Sequence, residues 1–326
     1  MSGSASEPGA VSFGFGLSPY ARFADAAELV ETVMLAEELG YETVGLPEHL
    51  LPPDSSATPD WMKVWYDQAV LGAFLAARTS EIMLMPGVHV VPYHPPVQAA
   101  KALATLDIVS GGRLRLAVGI GWYQGEFERL GVPFRKRGAI TDEYLRAMKE
   151  LWTSDQPHFA GTFVSFSEVS FLPRPSAIPL YIGGLSESSF RRVAQYGDGW
   201  YPMTDSPQVL RAGVARIAEL RQELGRPEAR MTVVCSLMVA EDPDLAILRR
   251  HVRFDATEIP AATGAVPASE TPLNPERQTP SVCIQRIREL AAAGASLIMV
   301  KFAWADAAEL QAELRWFAAS VMPAFR

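Results

Sequence analysis

Apolar and polar residues follow two alternating periods along the chain, and these periods predict strands and helices in strict succession. A short apolar run at 13–17 precedes apolar positions at helical spacing from Ala26 to Ala36, and a buried strand is predicted at 43–46. The same succession continues to the end of the sequence. Six further strands are predicted at 82–85, 114–118, 180–182, 199–201, 231–239 and 297–302.

Helices are predicted between these strands, and the count of units decides the fold class. The predicted helices lie at about 64–79, 95–110, 140–152, 186–196 and 207–224, with others on either side of a Pro-rich stretch near 254–280. Strict alternation implies a parallel sheet. Eight strand-then-helix units favour a closed (β/α)8 TIM barrel over an open, doubly wound sheet.

The chain length leaves room for additions to such a barrel. A barrel of about 250 residues leaves roughly 76 of the 326 residues over. We assign these to a flexible N-terminal tail at 1–12 and to insertions at about 52–64, 155–178 and 254–280. The remainder, 13–326, is predicted to be one domain. The last insertion has two interpretations, a lid over the substrate or a disordered surface insertion.

Composition excludes several classes of protein. With 48% hydrophobic and 20% charged residues the chain can bury a large core, so global disorder is excluded. No apolar run approaches the roughly 18 residues of a membrane helix, and the N-terminus lacks the features of a signal peptide. A net charge of −8 without a basic run argues against nucleic acid as a partner. Two cysteines cannot form a disulfide framework. We expect a cytoplasmic globular protein.

Polar and glycine residues just after the strands are the candidates for chemistry, because barrels carry their sites there. The sequence Gly183-Gly184-Leu185-Ser186 follows one strand and precedes a helix. Glycines allow close approach of a ligand, and the helix N-terminus offers free N–H groups, which suits a phosphate. The alternative is an ordinary turn with Ser186 as the N-cap.

Histidines and aromatic residues at other strand ends have both functional and structural interpretations. His49 can move a proton or bind a substrate oxygen, or it can be a half-buried histidine bonded to Glu48 or to backbone. His89 and His94 are interpreted as loop histidines without the carboxylate of a metal site, so no metal is predicted. The glycines from Gly119 to Gly125 have the wrong spacing for a dinucleotide fingerprint, and no helix is expected there. Four aromatic residues are predicted near the rim of the barrel, and about half of them are expected to be core residues. They are Trp122, Tyr123, Trp200 and Tyr201.

Four longer phrases carry a family resemblance. They are AEELGYETVGLPEHLLPP at 36–53, AKALATLDIVSGGRLRLAVGIGWYQGEFERLGVPFRKRG at 100–138, DEYLRAMKELW at 142–152 and IGGLSESSFRRVAQYGDGW at 182–200. The chain resembles the bacterial-luciferase-like superfamily of flavin- and deazaflavin-dependent barrel oxidoreductases. It is most similar to the branch assigned to the deazaflavin coenzyme F420.

The resemblance implies roles for particular residues. The cofactor ring would lie in the barrel mouth, backed by a bulge near Gly87-Val88 that often holds a non-prolyl cis peptide. Gly119 to Trp122, including Gly121, would flank the ring, and Gly183 to Ser186 would hold the phosphate. His49 would face the substrate or handle a proton, oriented by Glu48 or Glu126. Many relatives carry Asp at position 48, which leaves the acid/base partner open.

Three functions follow from this resemblance. The first is an F420-dependent oxidoreductase that moves a hydride between the deazaflavin C5 and an organic small molecule. The second is an FMN-dependent monooxygenase of the same fold. The third is a protein that binds flavin or F420 without catalysis. A homodimer is expected, with the helices after the second and third strands as contact faces.

Overall fold

The computed structural model describes residues 11–52, 63–226, 231–239 and 279–326. Its strands are β1 (Ser12–Gly16), β2 (Thr43–Leu46), β3 (Met83–Val90), β4 (Leu116–Gly119), β5 (Phe159–Ala160), β6 (Ser165–Phe166), β7 (Leu180–Gly183), β8 (Gly199–Tyr201), β9 (Thr232–Val239) and β10 (Leu297–Phe302). Its helices are α1 (Ala26–Glu38), α2 (Gln68–Ala76), α3 (Pro96–Val109), α4 (Gln124–Arg129), α5 (Arg137–Thr153), α6 (Glu187–Tyr196), α7 (Pro207–Glu223), α8 (Pro280–Ala292) and α9 (Ala307–Ser320).

Eight of the strands form a closed barrel, which confirms the predicted fold class. The strand order is β1, β10, β9, β8, β7, β4, β3, β2. The pairs β1–β10, β10–β9, β9–β8, β7–β4 and β4–β3 are parallel. Such a barrel places the carboxyl ends of all its strands at one face. No helix within the described ranges is both long enough and apolar enough to cross a membrane.

Contacts along the chain group the described residues into two compact units. The first unit consists of Leu17–Ala21 and Gly45–Gly183, and the second unit consists of the other described residues. The prediction of one domain over 13–326 stays a prediction. Most of the tail at 1–12 and of the segments 52–64 and 254–280 lies outside the described residues, so their interpretations are also untested.

Two predicted elements have wrong boundaries in the first unit. The helix predicted from residue 64 begins at Gln68, because the Asp67 carboxylate accepts the Ala69 and Val70 amides and so acts as the N-cap. The strand predicted at 82–85 continues to Val90. It passes through Pro86 and Gly87, which ordinarily end a strand in sequence patterns.

Two regions predicted to be irregular contain regular structure. The helix α4 follows Tyr123, where no helix is expected from the glycine-rich sequence. Within the segment 155–178, β5 and β6 pair as an antiparallel hairpin. The buried Glu143 of α5 accepts the hydrogen bonds of three backbone amides of that hairpin turn, at 2.5–2.9 Å. One carboxylate from a distant helix thus holds the hairpin turn, and no local sequence pattern indicates such a contact.

In the second unit, Trp200 fixes how closely α7 packs on the strands. The Trp200 side chain is fully buried, and its indole N–H donates to the Gly184 carbonyl at 2.9 Å. A Cβ atom at Gly213 of α7 would overlap the indole ring. Gly213 therefore allows the helix to approach the ring directly.

We expect Gly213→Ala to destabilise the protein, although alanine is the better helix former. The added methyl group forces the buried indole to move, and overpacking of this kind costs about 1–3 kcal/mol of unfolding free energy. Urea denaturation measures the change. Ala215→Ser, at an exposed position of the same helix, should change the free energy by less than about 0.5 kcal/mol. An unchanged stability in Gly213→Ala would show that α7 can shift away from Trp200.

Candidate active site

The carboxylate of Glu126 is the centre of a hydrogen-bond cluster in the first unit. Its side chain is fully buried in α4. Oε2 lies 2.9 Å from His49 Nδ1 and accepts the Tyr93 hydroxyl at 3.0 Å. Oε1 accepts the amides of Leu50 and Leu51 at 2.5 Å and 2.8 Å. Four hydrogen bonds therefore satisfy this carboxylate.

These contacts decide the charge of Glu126. Burial by itself would raise the pKa of the carboxyl, but the hydrogen bonds of His49 and of the Leu51 and Leu50 amides outweigh it and hold the pKa below its usual value. Burial, and then the charge of Glu126, raise the pKa of the Tyr93 phenol. At neutral pH Tyr93 is therefore the donor and Glu126 the anionic acceptor.

The anionic Glu126 sets the tautomer of His49. Because a carboxylate accepts only, His49 Nδ1 is the donor, and in the tautomer that makes this bond the lone pair is on Nε2. The His49 side chain is 14% exposed. Its ring packs at 4.8 Å from the Trp65 ring and 6.1 Å from the Trp122 ring. Within the described residues Nε2 has no hydrogen-bond partner, so it is the free acid/base position of the cluster.

Of the two predicted partners of His49, the structure brings Glu126 to it and engages Glu48 elsewhere. Its Oε1 lies 2.7 Å from His94 Nε2, and its Oε2 accepts the Val90 amide at 2.8 Å. No hydrogen bond joins Glu48 to His49 within the described residues. The two neighbouring side chains thus enter separate networks, His49 with Glu126 and Glu48 with His94.

His94 lies in the turn after β3, as expected of a loop histidine, but the interpretation of His89 as a loop histidine and of both as lacking a carboxylate is wrong. His89 is buried in β3, and Glu48, His89 and His94 offer donor atoms that lie within 4.8 Å of one another. The two imidazole rings are stacked at 4.3 Å with 16° between their planes. Since ring lone pairs lie in the ring plane, stacked rings do not direct them at one ion. The arrangement therefore suits a hydrogen-bond network better than a metal centre, and the absence of a metal stays a prediction.

Gln68 fixes the orientation of this second network. Its Nε2 donates to the Leu46 carbonyl at 2.6 Å, so its Oε1 accepts from His89 Nδ1 at 3.0 Å. Burial lowers the pKa of His89 to about 4, which keeps the ring neutral at pH 7. A cavity of about 190 Å³ adjoins the network, between α2 and α3.

The bulge expected from the family resemblance lies inside β3. The Gly87–Val88 peptide is cis, and the register with β4 shifts between Gly87 and His89. A Cβ atom at Gly119 would lie 3.2 Å from the Val88 side chain, so glycine lets Val88 pack on β4. Gly87, Val88 and Gly119 are all half-buried, as ring-contacting residues at a barrel mouth need to be.

Packing also explains Gly121 and the aromatic residues. Gly121 has φ +77°, and a Cβ atom there would lie 2.7 Å from the Phe127 ring, so its identity does not require a ligand. Trp122 is 41% exposed and Tyr123 is half-buried. Two of the four predicted rim aromatics are core residues, namely Trp200 and Tyr201.

At the predicted phosphate site, the structural alternative is observed. Ser186 is the N-cap of α6, and its hydroxyl oxygen accepts the Ser189 amide at 3.2 Å. Gly184 has φ +113° and is exposed, and Leu185 is half-buried beside it. An N-cap leaves other helix N–H groups free, so phosphate binding is compatible with it and stays a prediction.

Sequence reasoning missed three members of these networks. Tyr93 follows the third strand, and its position at a strand end was an available signal. Gln68 lies at the start of a helix and Trp65 in the loop before it. No sequence pattern there distinguishes a side chain that bonds or packs in the site from a solvated one.

Comparison with known proteins gives a family and a set of relatives. The model of the luciferase-like monooxygenase family matches residues 10–307. An uncharacterized protein of Mycobacterium tuberculosis is 32% identical over 203 residues, which cover 59% of this chain and 70% of that protein.

Two solved structures share the fold along almost the whole chain. An F420-dependent secondary alcohol dehydrogenase in complex with an F420–acetone adduct has a TM-score of 0.77 at 19% identity, covering 97% of this chain and 99% of that one. A type II Baeyer–Villiger monooxygenase of Pseudomonas putida in complex with FMN has a TM-score of 0.73 at 17% identity, covering 96% and 98%. At these identities the likeness shows the fold alone.

We expect Glu126→Gln to reduce the unfolding free energy by about 1–3 kcal/mol at pH 7, because an amide cannot accept all four hydrogen bonds. Folding lowers the pKa of Glu126, so the stabilisation is present above the unfolded-state pKa and is lost as the pH falls through the folded value. The difference in unfolding free energy between the variant and the wild type should therefore become smaller below about pH 4.3. Urea denaturation at several pH values measures it. Glu128→Gln, exposed on the same helix, should show no such difference at any pH.

Proposed function

Because the chain belongs to the luciferase-like monooxygenase family, we propose that it is an oxidoreductase that uses coenzyme F420 and a small organic substrate. When bound, the deazaflavin supplies hydride transfer at its C5. The protein then has to hold the ring, orient the substrate and handle the proton that accompanies the hydride. The His49–Glu126 pair is the observation that carries this proposal.

The proposed proton-handling atom is His49 Nε2. Glu126 holds the Nδ1 proton, so Nε2 can accept a proton from a substrate hydroxyl during oxidation and return it during reduction. Glu126 is a positioning residue, since it acts through His49. Trp65 and Trp122 border the imidazole and restrict its rotation. The pair requires no change of tautomer before it acts.

The residues assigned to the cofactor fit a flat ring and a phosphate. Val88 and Gly119 form a close-packed pair at the β3 bulge, where a flat ring can lie against backbone and small side chains. Trp122 offers exposed aromatic surface next in sequence to Gly121. Gly184 and Ser186 precede the free amides of α6, which suit the phosphate. The same features accept FMN, which keeps an FMN-dependent monooxygenase as the second candidate.

The proposed homodimer is supported by apolar side chains on α2 and α3. Val70 and Phe74 of α2 are 71% and 45% exposed, and Val109 of α3 is 58% exposed. Exposed apolar side chains of this size are typical of association surfaces. Sedimentation equilibrium decides the point, and a monomer at micromolar concentration would contradict it.

The cofactor is tested by parallel fluorescence titrations of the protein with F420 and FMN. Micromolar binding of F420 without binding of FMN supports the proposal. Tight FMN binding with oxygen consumption by reduced FMN contradicts it in favour of the monooxygenase. Binding without hydride transfer across alcohols, carbonyls and enones favours the third, non-catalytic candidate.

We expect Ser186→Ala to weaken F420 binding in these titrations, while Ser206→Ala leaves it unchanged. Both serines are N-caps, of α6 and α7, so both variants lose about 1 kcal/mol of stability. Only Ser186 adjoins the proposed phosphate site. Equal affinities in the two variants would limit Ser186 to its capping role and place the phosphate elsewhere.

We expect His49→Ala to lower kcat by about 10²- to 10⁴-fold on any substrate that the panel reveals, with little change in the Kd of F420. The reason is that the variant loses Nε2, the proposed proton-handling atom, but no proposed cofactor contact. His158→Ala, at an exposed histidine, is the matched control and should keep full turnover. Full turnover in His49→Ala would remove the assignment of His49 as the acid/base group.

A further inference from the structure

Lys301 lies on the interior face of the barrel strand β10. Its neighbour Phe302 packs its ring 5.9 Å from Phe317 of α9, so Phe302 faces the helix layer. Side chains of a strand alternate between its two faces, so Lys301 and Met299 face the barrel interior. Lys301 is the second-last residue of the strand, near the carboxyl end where barrels carry their sites.

The neighbouring strand β1 shows where the interior changes from packed to open. Gly14 pairs with Met299, and a Cβ atom at Gly14 would lie 2.6 Å from the Met299 sulfur. Two residues later, Gly16 is on the same face and adjacent to Lys301 in the continued register. A Cβ atom at Gly16 would meet no atom of the described residues within 4 Å. The layer that contains Lys301 therefore borders open space, whereas the layer before it is filled.

On the other flank of Lys301, the part of β9 and β8 that the structure describes places no charged residue beside it. Lys301 pairs with Met238 of β9. On the same face of the second unit, Tyr201 and Ser236 bond each other at 3.4 Å. Within the described residues Lys301 makes no hydrogen bond or ion pair. Burial lowers the pKa of its ammonium group. Lys301 is half-buried by its accessible surface, so its ammonium group loses part of its hydration without gaining a partner, and a bound anion offsets that cost.

We propose that Lys301 binds an anionic group, a carboxylate or a phosphate, of a small molecule held inside the barrel beside Gly16. The anion can belong to the substrate or to the cofactor. The binding site itself does not depend on the proposed redox function, whereas its assignment to substrate or cofactor does. Hydrogen bonds in which both partners are charged are stronger than neutral ones, so the site should bind an anion more tightly than a neutral analogue of the same shape.

The test compares trifluoroacetate with trifluoroacetamide, which are similar in size and differ in charge, by ¹⁹F NMR titration without cofactor. We expect the wild type to bind trifluoroacetate about tenfold or more tightly than the amide. Lys301→Met should lose this preference, Lys301→Arg should retain it, and inorganic phosphate should compete in the wild type. Lys149→Met, an exposed lysine of α5, is the matched control and should behave as wild type.

Lys301→Met removes a desolvated charge but keeps the side-chain length, so its Tm should equal or exceed that of wild type. A wild type without preference for the anion, or a folded Lys301→Met variant that retains the preference, overturns the proposal.

F420 and FMN titrations of the same variants identify the source of the anion. Loss of trifluoroacetate binding with unchanged cofactor affinity assigns the anion to the substrate. A parallel loss of about tenfold in cofactor affinity assigns it to the cofactor phosphate. If neither cofactor binds, the trifluoroacetate result still decides whether Lys301 is an anion site.

Discussion

The buried carboxylate of Glu126 is the constraint on which the candidate site depends. It joins three separate stretches of chain: the segment after β2, the turn after β3 and helix α4. An unsatisfied buried carboxylate is strongly unfavourable. The loss of one donor therefore weakens the stabilisation that offsets the entropy cost of ordering the others. The orientation of His49 is therefore a property of the folded unit rather than of its own loop.

Glu48 and His49 follow β2 as consecutive residues, yet their side chains enter separate hydrogen-bond networks. Glu48 holds the Val90 amide and His94, so it fixes the segment that follows the β3 bulge. His49 pairs with Glu126 and leaves Nε2 open. One side chain therefore fixes the backbone after the β3 bulge, whereas the next is held by α4.

The sequence pattern predicts the succession of elements well, because each barrel strand is a short apolar run bounded by turn residues. It predicts the strand at 199–201 with its exact bounds. It fails where a single side-chain contact fixes the local structure, as at the Asp67 cap and at the hairpin turn held by Glu143. For the site, the strand-end rule found His49, Glu48 and Glu126. The partnership between His49 and Glu126 spans 77 residues, and no local pattern encodes such a pairing. The network of Gln68, His89 and His94 was missed for the same reason.

The two amides that bind Glu126 belong to Leu50 and Leu51, immediately after His49 and before the sequence runs on through Pro52. This double attachment fixes the backbone that follows His49, and the Trp65 ring packs on the imidazole further along the chain. Sequence changes between Pro52 and Trp65 alter none of these contacting residues, whereas a change at Trp65 removes a ring that borders the imidazole. A protein built in this way can vary one part of its sequence while the His49–Glu126 pair keeps its geometry.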